Sequence, residues 1–209
     1  MCISANTSIS TFFISIIGSL TLIYYGNKNY NIENIIIGLF FIYIAFVQLF
    51  EFFIWIDIDN KIGINKIFTL ILPIYIYIQP LILYNLQLFF YKISNNIISV
   101  LVELFYLIYY LFQYFNFVKG GNNYVIKCNN NYLDWGWLYY FNNIPYFILF
   151  IYAIFIFMPL QIALLVFIVG FTFNSISLLY FKNTGNYGSF FCFFSAFSPI
   201  IFLFIQYLL

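Results

Sequence analysis

Glu51 is the residue whose type and place most invite chemistry. It sits inside an unbroken apolar stretch, with Gln48 one helical turn before it and Trp55 one turn after. Spacings of three, four and seven put Gln48, Glu51, Phe52 and Trp55 on one helical face. A carboxyl in such a place can carry a proton, hold a cation or anchor a lipid headgroup. It can equally bond a neighbouring helix, kept neutral because burial raises a carboxyl pKa. Glu103 is a second acid of this kind, nearer a segment end. Gln79-Pro80, Asn85 and Gln87 lie in one further apolar stretch. A proline there frees a backbone carbonyl, and broken helices with freed carbonyls line some membrane binding sites. The candidate intramembrane polar site is therefore Glu51, Gln48, Gln79, Asn85 and Glu103, unless each of them simply joins one helix to the next.

The rest of the inventory narrows the chemistry. The 209 residues contain no histidine, and all seven basic residues are lysine. Without histidine there is no Ser–His–Asp or Cys–His arrangement and no His-ligated metal. Without arginine there is no bidentate clamp for phosphate. An enzyme would have to work with Glu, Asp, Tyr, Ser or Cys alone, so the reading leans away from catalysis and expects no cofactor and no metal. The net charge of +1 offers no field for nucleic acid. Cys2, Cys128 and Cys192 have no CxxC spacing, and whether any two pair stays open. The chain carries 31 Phe and 21 Tyr, alongside much Ile, Asn and Lys. These residues share A/T-rich codons, so genome bias is a sufficient reason for the aromatic excess.

Hydropathy decides what must position these residues. Apolar types make up 65% and charged types 6% of the chain, against about 45–50% and about 25% in soluble domains. Such a surface belongs in a lipid bilayer, and an all-α polytopic transmembrane bundle is expected as a single domain over 1–209. About 20 apolar residues cross a core of about 30 Å. That ruler predicts helices over 8–25, 34–56, 65–91, 97–118, 144–158, 160–181 and 189–208. Pro73 and Pro80 should bend the third. The run 144–181 would be about 57 Å long as one straight helix, nearly twice the core, so Pro159 is the expected break. Six helices is the alternative if that run is one crossing plus a re-entrant piece. Segment 119–143 reads as a polar loop, and Trp55, Trp135 and Trp137 read as interfacial anchors.

With seven helices, Lys61, Lys66, Lys119, Lys127 and Lys182 share a side with the N-terminus, against Lys28 and Lys92. That distribution favours a cytoplasmic N-terminus. The expected partners are the bilayer itself and other membrane proteins or further copies of this chain.

The start Met1-Cys2-Ile3-Ser4, the stretch Gln48-Leu49-Phe50-Glu51-Phe52-Phe53-Ile54-Trp55 and the pair Gln79-Pro80 resemble a family of small polytopic membrane proteins of large DNA viruses and protists. The family start is Met-Cys-Trp-Ser, so Ile3 departs from it. The resemblance implies a multi-pass protein of a viral or host membrane and brings no chemistry with it; the non-enzymatic structural or accessory role is the reading that the residue inventory favours. The helix count also matches a seven-helix hydrolase superfamily that includes alkaline ceramidases. Its metal site needs histidines that this chain lacks, so that activity does not carry over.

Overall fold

The computed structural model describes residues 4–28, 31–94, 97–120, 126–129, 132–181 and 187–208. Cys2 and Lys182 lie outside them, as does the side chain of Cys128. The described helices are α1 (Ala5–Lys28), α2 (Ile32–Ile56), α3 (Ile64–Tyr77), α4 (Gln79–Tyr91), α5 (Ile97–Gly120), α6 (Ile144–Phe155), α7 (Leu160–Phe181), α8 (Tyr187–Ser195) and α9 (Ser198–Leu208). Strands β1 (Lys127–Asn129) and β2 (Tyr132–Asp134) form a small antiparallel hairpin, followed by a 3-10 turn at Gly136–Tyr140. Among the described residues four helices are long and apolar enough to cross a bilayer. The α3–α4 pair, bent by 48°, passes the same test only when taken together as one broken span, for up to five. The chain is an all-α membrane bundle.

The breaks follow from proline. Pro80 cannot donate to the carbonyl of Ile76, and α3 gives way to α4 at Ile78. Pro73, expected to bend the same span, stays inside α3 without dividing it. The run 144–181 is divided between Phe155 and Leu160, with Pro159 just ahead of α7. Pro199 stands at the second position of α9, where its missing N–H costs nothing.

The tightest packing joins α1 to α2. The inward face of α1 carries Ser8, Thr11, Ser15, Gly18, Ser19, Leu22 and Gly26. Steps of three and four keep these residues on one stripe, and their small size lets the backbones approach. Phe13, Ile17, Leu20 and Tyr24 occupy the opposite, exposed face. At Gly38 of α2, a Cβ would lie 2.6 Å from Ile23 Cγ1 and 2.8 Å from the Ser19 carbonyl oxygen. Gly18 meets Pro199 and Ile200, which brings α9 against the same helix.

Asp57 builds the turn from α2 to α3. Its carboxylate accepts the backbone N–H groups of Ile62 at 3.1 Å, Ile64 at 2.8 Å and Asn65 at 3.4 Å. Ile64 and Asn65 open α3, whose own cap, Gly63, has φ 89° and no side chain to offer. Asp57 therefore supplies from a distance what an N-cap residue supplies locally. Desolvation pushes its pKa up, but the N–H groups of Ile62, Asn65, Ile64 and Lys61 outweigh that and hold it below the usual carboxylate value.

The core beyond α2 is built partly from the segment expected to be a polar loop. Ile126, Leu133, Trp135, Trp137 and Phe141 are all buried. They pack with Tyr77, Tyr106, Tyr110 and Tyr146 of α3, α5 and α6. The physical reason is the length of α6: its 12 residues rise about 18 Å, well short of the core thickness. The hairpin segment fills the depth that α6 leaves.

Two outcomes test this packing. Gly38→Ala should cost about 1–3 kcal/mol, because the added methyl meets the Ser19 carbonyl oxygen as well as the β-branched Ile23 side chain. Gly170→Ala, at a position with nothing within 4 Å, should be neutral or slightly stabilising; unfolding midpoints in detergent compare the two. The Asp57 contribution should be complete above about pH 5 and fade as pH falls through the depressed folded pKa, because a lowered carboxyl pKa stabilises only the ionised state. Asp57→Asn should flatten that acid limb of the stability curve.

Candidate functional site

The five polar residues singled out by the sequence do not meet in one chamber. Gln48 is 1% exposed and accepts a hydrogen bond from the Thr11 hydroxyl of α1 at 2.7 Å. Glu51 is 0% exposed. α1 and α2 run antiparallel, so three residues forward on α2 and three back on α1 put Glu51 level with Ser8, itself fully buried. Gln79 turns elsewhere: its Oε1 accepts from the Tyr146 hydroxyl of α6 at 2.7 Å. Asn85 donates to the Leu81 carbonyl at 2.9 Å and to Glu103 Oε2 of α5 at 3.2 Å. Gln87 of α4 donates to the Ala153 carbonyl of α6 at 2.6 Å. Gln48 thus ties α2 to α1, Gln79 and Gln87 tie α4 to α6, and Asn85 ties α4 to Glu103 of α5.

Trp135 and Trp137 are not belt residues. They are 1% and 2% exposed, stacked with ring centroids 5.4 Å apart, and Trp137 meets Phe141 edge-on. The expectation of an aromatic girdle placed them at the surface because two Trp near a polar run commonly mark an interface. Here the hairpin segment folds inward and takes them with it. Trp55 is partly buried and packs against the same core.

A small cavity of about 40 Å³ lies beside Trp135, bounded by Tyr77, Gln79, Asn143, Tyr146 and Cys192. The Tyr77 hydroxyl donates to Asn143 Oδ1, and Gln79 is held by Tyr146. These polar walls answer one another. Among the described residues, no three His, Cys, Asp or Glu side chains gather to hold a metal.

The structure adds polar links that the sequence reading missed. Asn65 is 0% exposed, and its amide treats Ile126 as a strand partner would. Nδ2 donates to the Ile126 carbonyl at 2.8 Å, and Oδ1 accepts the Ile126 N–H at 3.1 Å. Thr69, one turn on, bonds both Asn65 Oδ1 and the Ile126 N–H. This pair latches the hairpin segment to α3, and its trace in the sequence is two polar residues four apart at the start of an apolar run. Tyr43 and Tyr75 form a reciprocal clamp between α2 and α3. Each hydroxyl donates to the other's backbone carbonyl, at 2.7 and 2.8 Å, across rings stacked at 4.1 Å.

These bonds tie one helix directly to another, and the hairpin segment to α3. Asn65→Leu should release the hairpin segment, lowering stability by about 1–3 kcal/mol through the stranded Ile126 groups. Tryptophan emission should shift to the red as Trp135 and Trp137 gain exposure; unchanged emission would mean that the latch is not needed. No family model, curated protein or solved structure matches the chain.

Proposed function

We propose that this chain is a non-enzymatic multi-pass component of a viral or host membrane, with a structural or accessory role. One observation carries the reading. The intramembrane amides are spent pairwise between helices, Gln48 on Thr11, Gln79 on Tyr146 and Gln87 on Ala153. A conduction path needs its polar groups to share one hydrated route, whereas helix–helix contacts need them distributed. The choice of membrane is supported by the resemblance of residues 1–4, 48–55 and 79–80 to the viral and protist family. The lysine distribution supports a cytoplasmic N-terminus. The rival role is proton or ion movement through Glu51, whose complete burial is the observation in its favour.

The test uses vesicles loaded with a pH-sensitive dye and carrying either wild type or Glu51→Gln. Both should equilibrate a proton gradient no faster than protein-free vesicles. Flux present in wild type and lost in Glu51→Gln would overturn the scaffold reading and make Glu51 a transport group.

A further inference from the structure

α5 is attached to the bundle along one stripe only. Tyr106, Tyr110, Gln113 and Phe117 are its buried residues, while Phe105, Ile108, Phe112 and Phe115 are more than half exposed. Between α5 and α3, reaching Ile78 at the α3–α4 bend, lies a groove of about 120 Å³, its walls apolar. Pro73 and Ile78 form one wall, and Tyr106, Leu107, Tyr110 and Leu111 the other. Ile74 and Leu111, on its edges, are 40% and 47% exposed, so the groove opens onto the lipid-facing surface.

The groove leads toward a polar end. Glu103 is one turn before Tyr106 and Leu107 on the same face of α5. Asn85 is two turns after Ile78 on the same face of α4. The two are bonded at 3.2 Å. Each is six residues from the adjacent helix end, about 9 Å along the axis. Both Asn85 amide bonds are made with its nitrogen, to Leu81 and to Glu103, which leaves the carbonyl oxygen of this exposed side chain as an acceptor. An acceptor left in hydrocarbon costs several kcal/mol unless a donor reaches it. A membrane lipid can bring that donor to it. A phosphate-bearing head is ill suited, since it would bring its own negative charge beside a carboxyl at this depth. A hydroxyl carried on an apolar chain fits both ends.

We propose that the cleft between α3 and α5 binds one neutral hydroxyl-bearing lipid of the acylglycerol class. Its chain lies in the groove, and its hydroxyl donates to the Asn85–Glu103 pair. The site is separate from Glu51 and does not depend on the scaffold role.

Native mass spectrometry of protein released from nanodiscs tests it. The nanodiscs contain phosphatidylcholine with a minor fraction of diacylglycerol. The expected result is one retained diacylglycerol per chain. Asn85→Leu should lower its occupancy about tenfold, the loss of roughly one buried hydrogen bond. Leu107→Trp should abolish it by filling the groove, and an unchanged unfolding midpoint shows that each variant is folded. Asn85→Leu alone is decisive should Leu107→Trp misfold. Retention of phosphatidylcholine at equal occupancy, no retained lipid, or a lipid-free dimer broken by Leu107→Trp would each overturn the proposal.

Discussion

A hydrocarbon core supplies no hydrogen-bond partner, so each polar side chain and each carbonyl freed at a bend must find one inside the protein. Much of this structure answers that demand. The α3–α4 bend at Ile78 disturbs the backbone ladder, and the Tyr77 carbonyl is taken by the Tyr106 hydroxyl at 2.7 Å. The Tyr110 hydroxyl takes the Asn142 carbonyl where the hairpin segment turns into α6. Asn142 in turn donates its N–H to Gln113 of α5. Codon bias accounts for why aromatics are common here, but not for these positions, where phenylalanine would leave a carbonyl unanswered.

The same demand explains why the polar residues are scattered. A side-chain amide offers both donors and an acceptor, and a single bond across a helix pair suffices to link the two helices. Gln48, Gln79 and Asn85 therefore end on three different partners. The exception is the Asn85–Glu103 pair. Asn85 is exposed and Glu103 half-buried, whereas Glu51 is fully buried, which is why the lipid inference falls at this pair and not at Glu51.

Shape follows from residue size and helix length. Small residues on α1 let it lie close to α2, with Gly26 and Gly38 at close approaches between the two helices and Gly18 admitting α9. α6 is too short to fill the bundle's depth, so the hairpin segment, latched by Asn65, contributes Trp135, Trp137 and Phe141 to the core. A segment read as polar from its asparagines thus supplies some of the largest buried side chains.

By itself, the sequence determined that this is a helical membrane protein. It also determined where the apolar runs lie, because bilayer thickness and the 1.5 Å helical rise set their length whatever the partners. Prolines marked the divisions at 80 and 159, since a missing N–H is a property of the residue alone. It also placed Gln48 and Glu51 on one face, because periodicity is internal to a helix. Only the tertiary structure decided which helix each face meets. That choice separated Gln79 from Gln48, paired Asn85 with Glu103, and carried Trp135 and Trp137 from an expected surface belt into the core. Periodicity names the side a residue faces, and packing alone names what stands there.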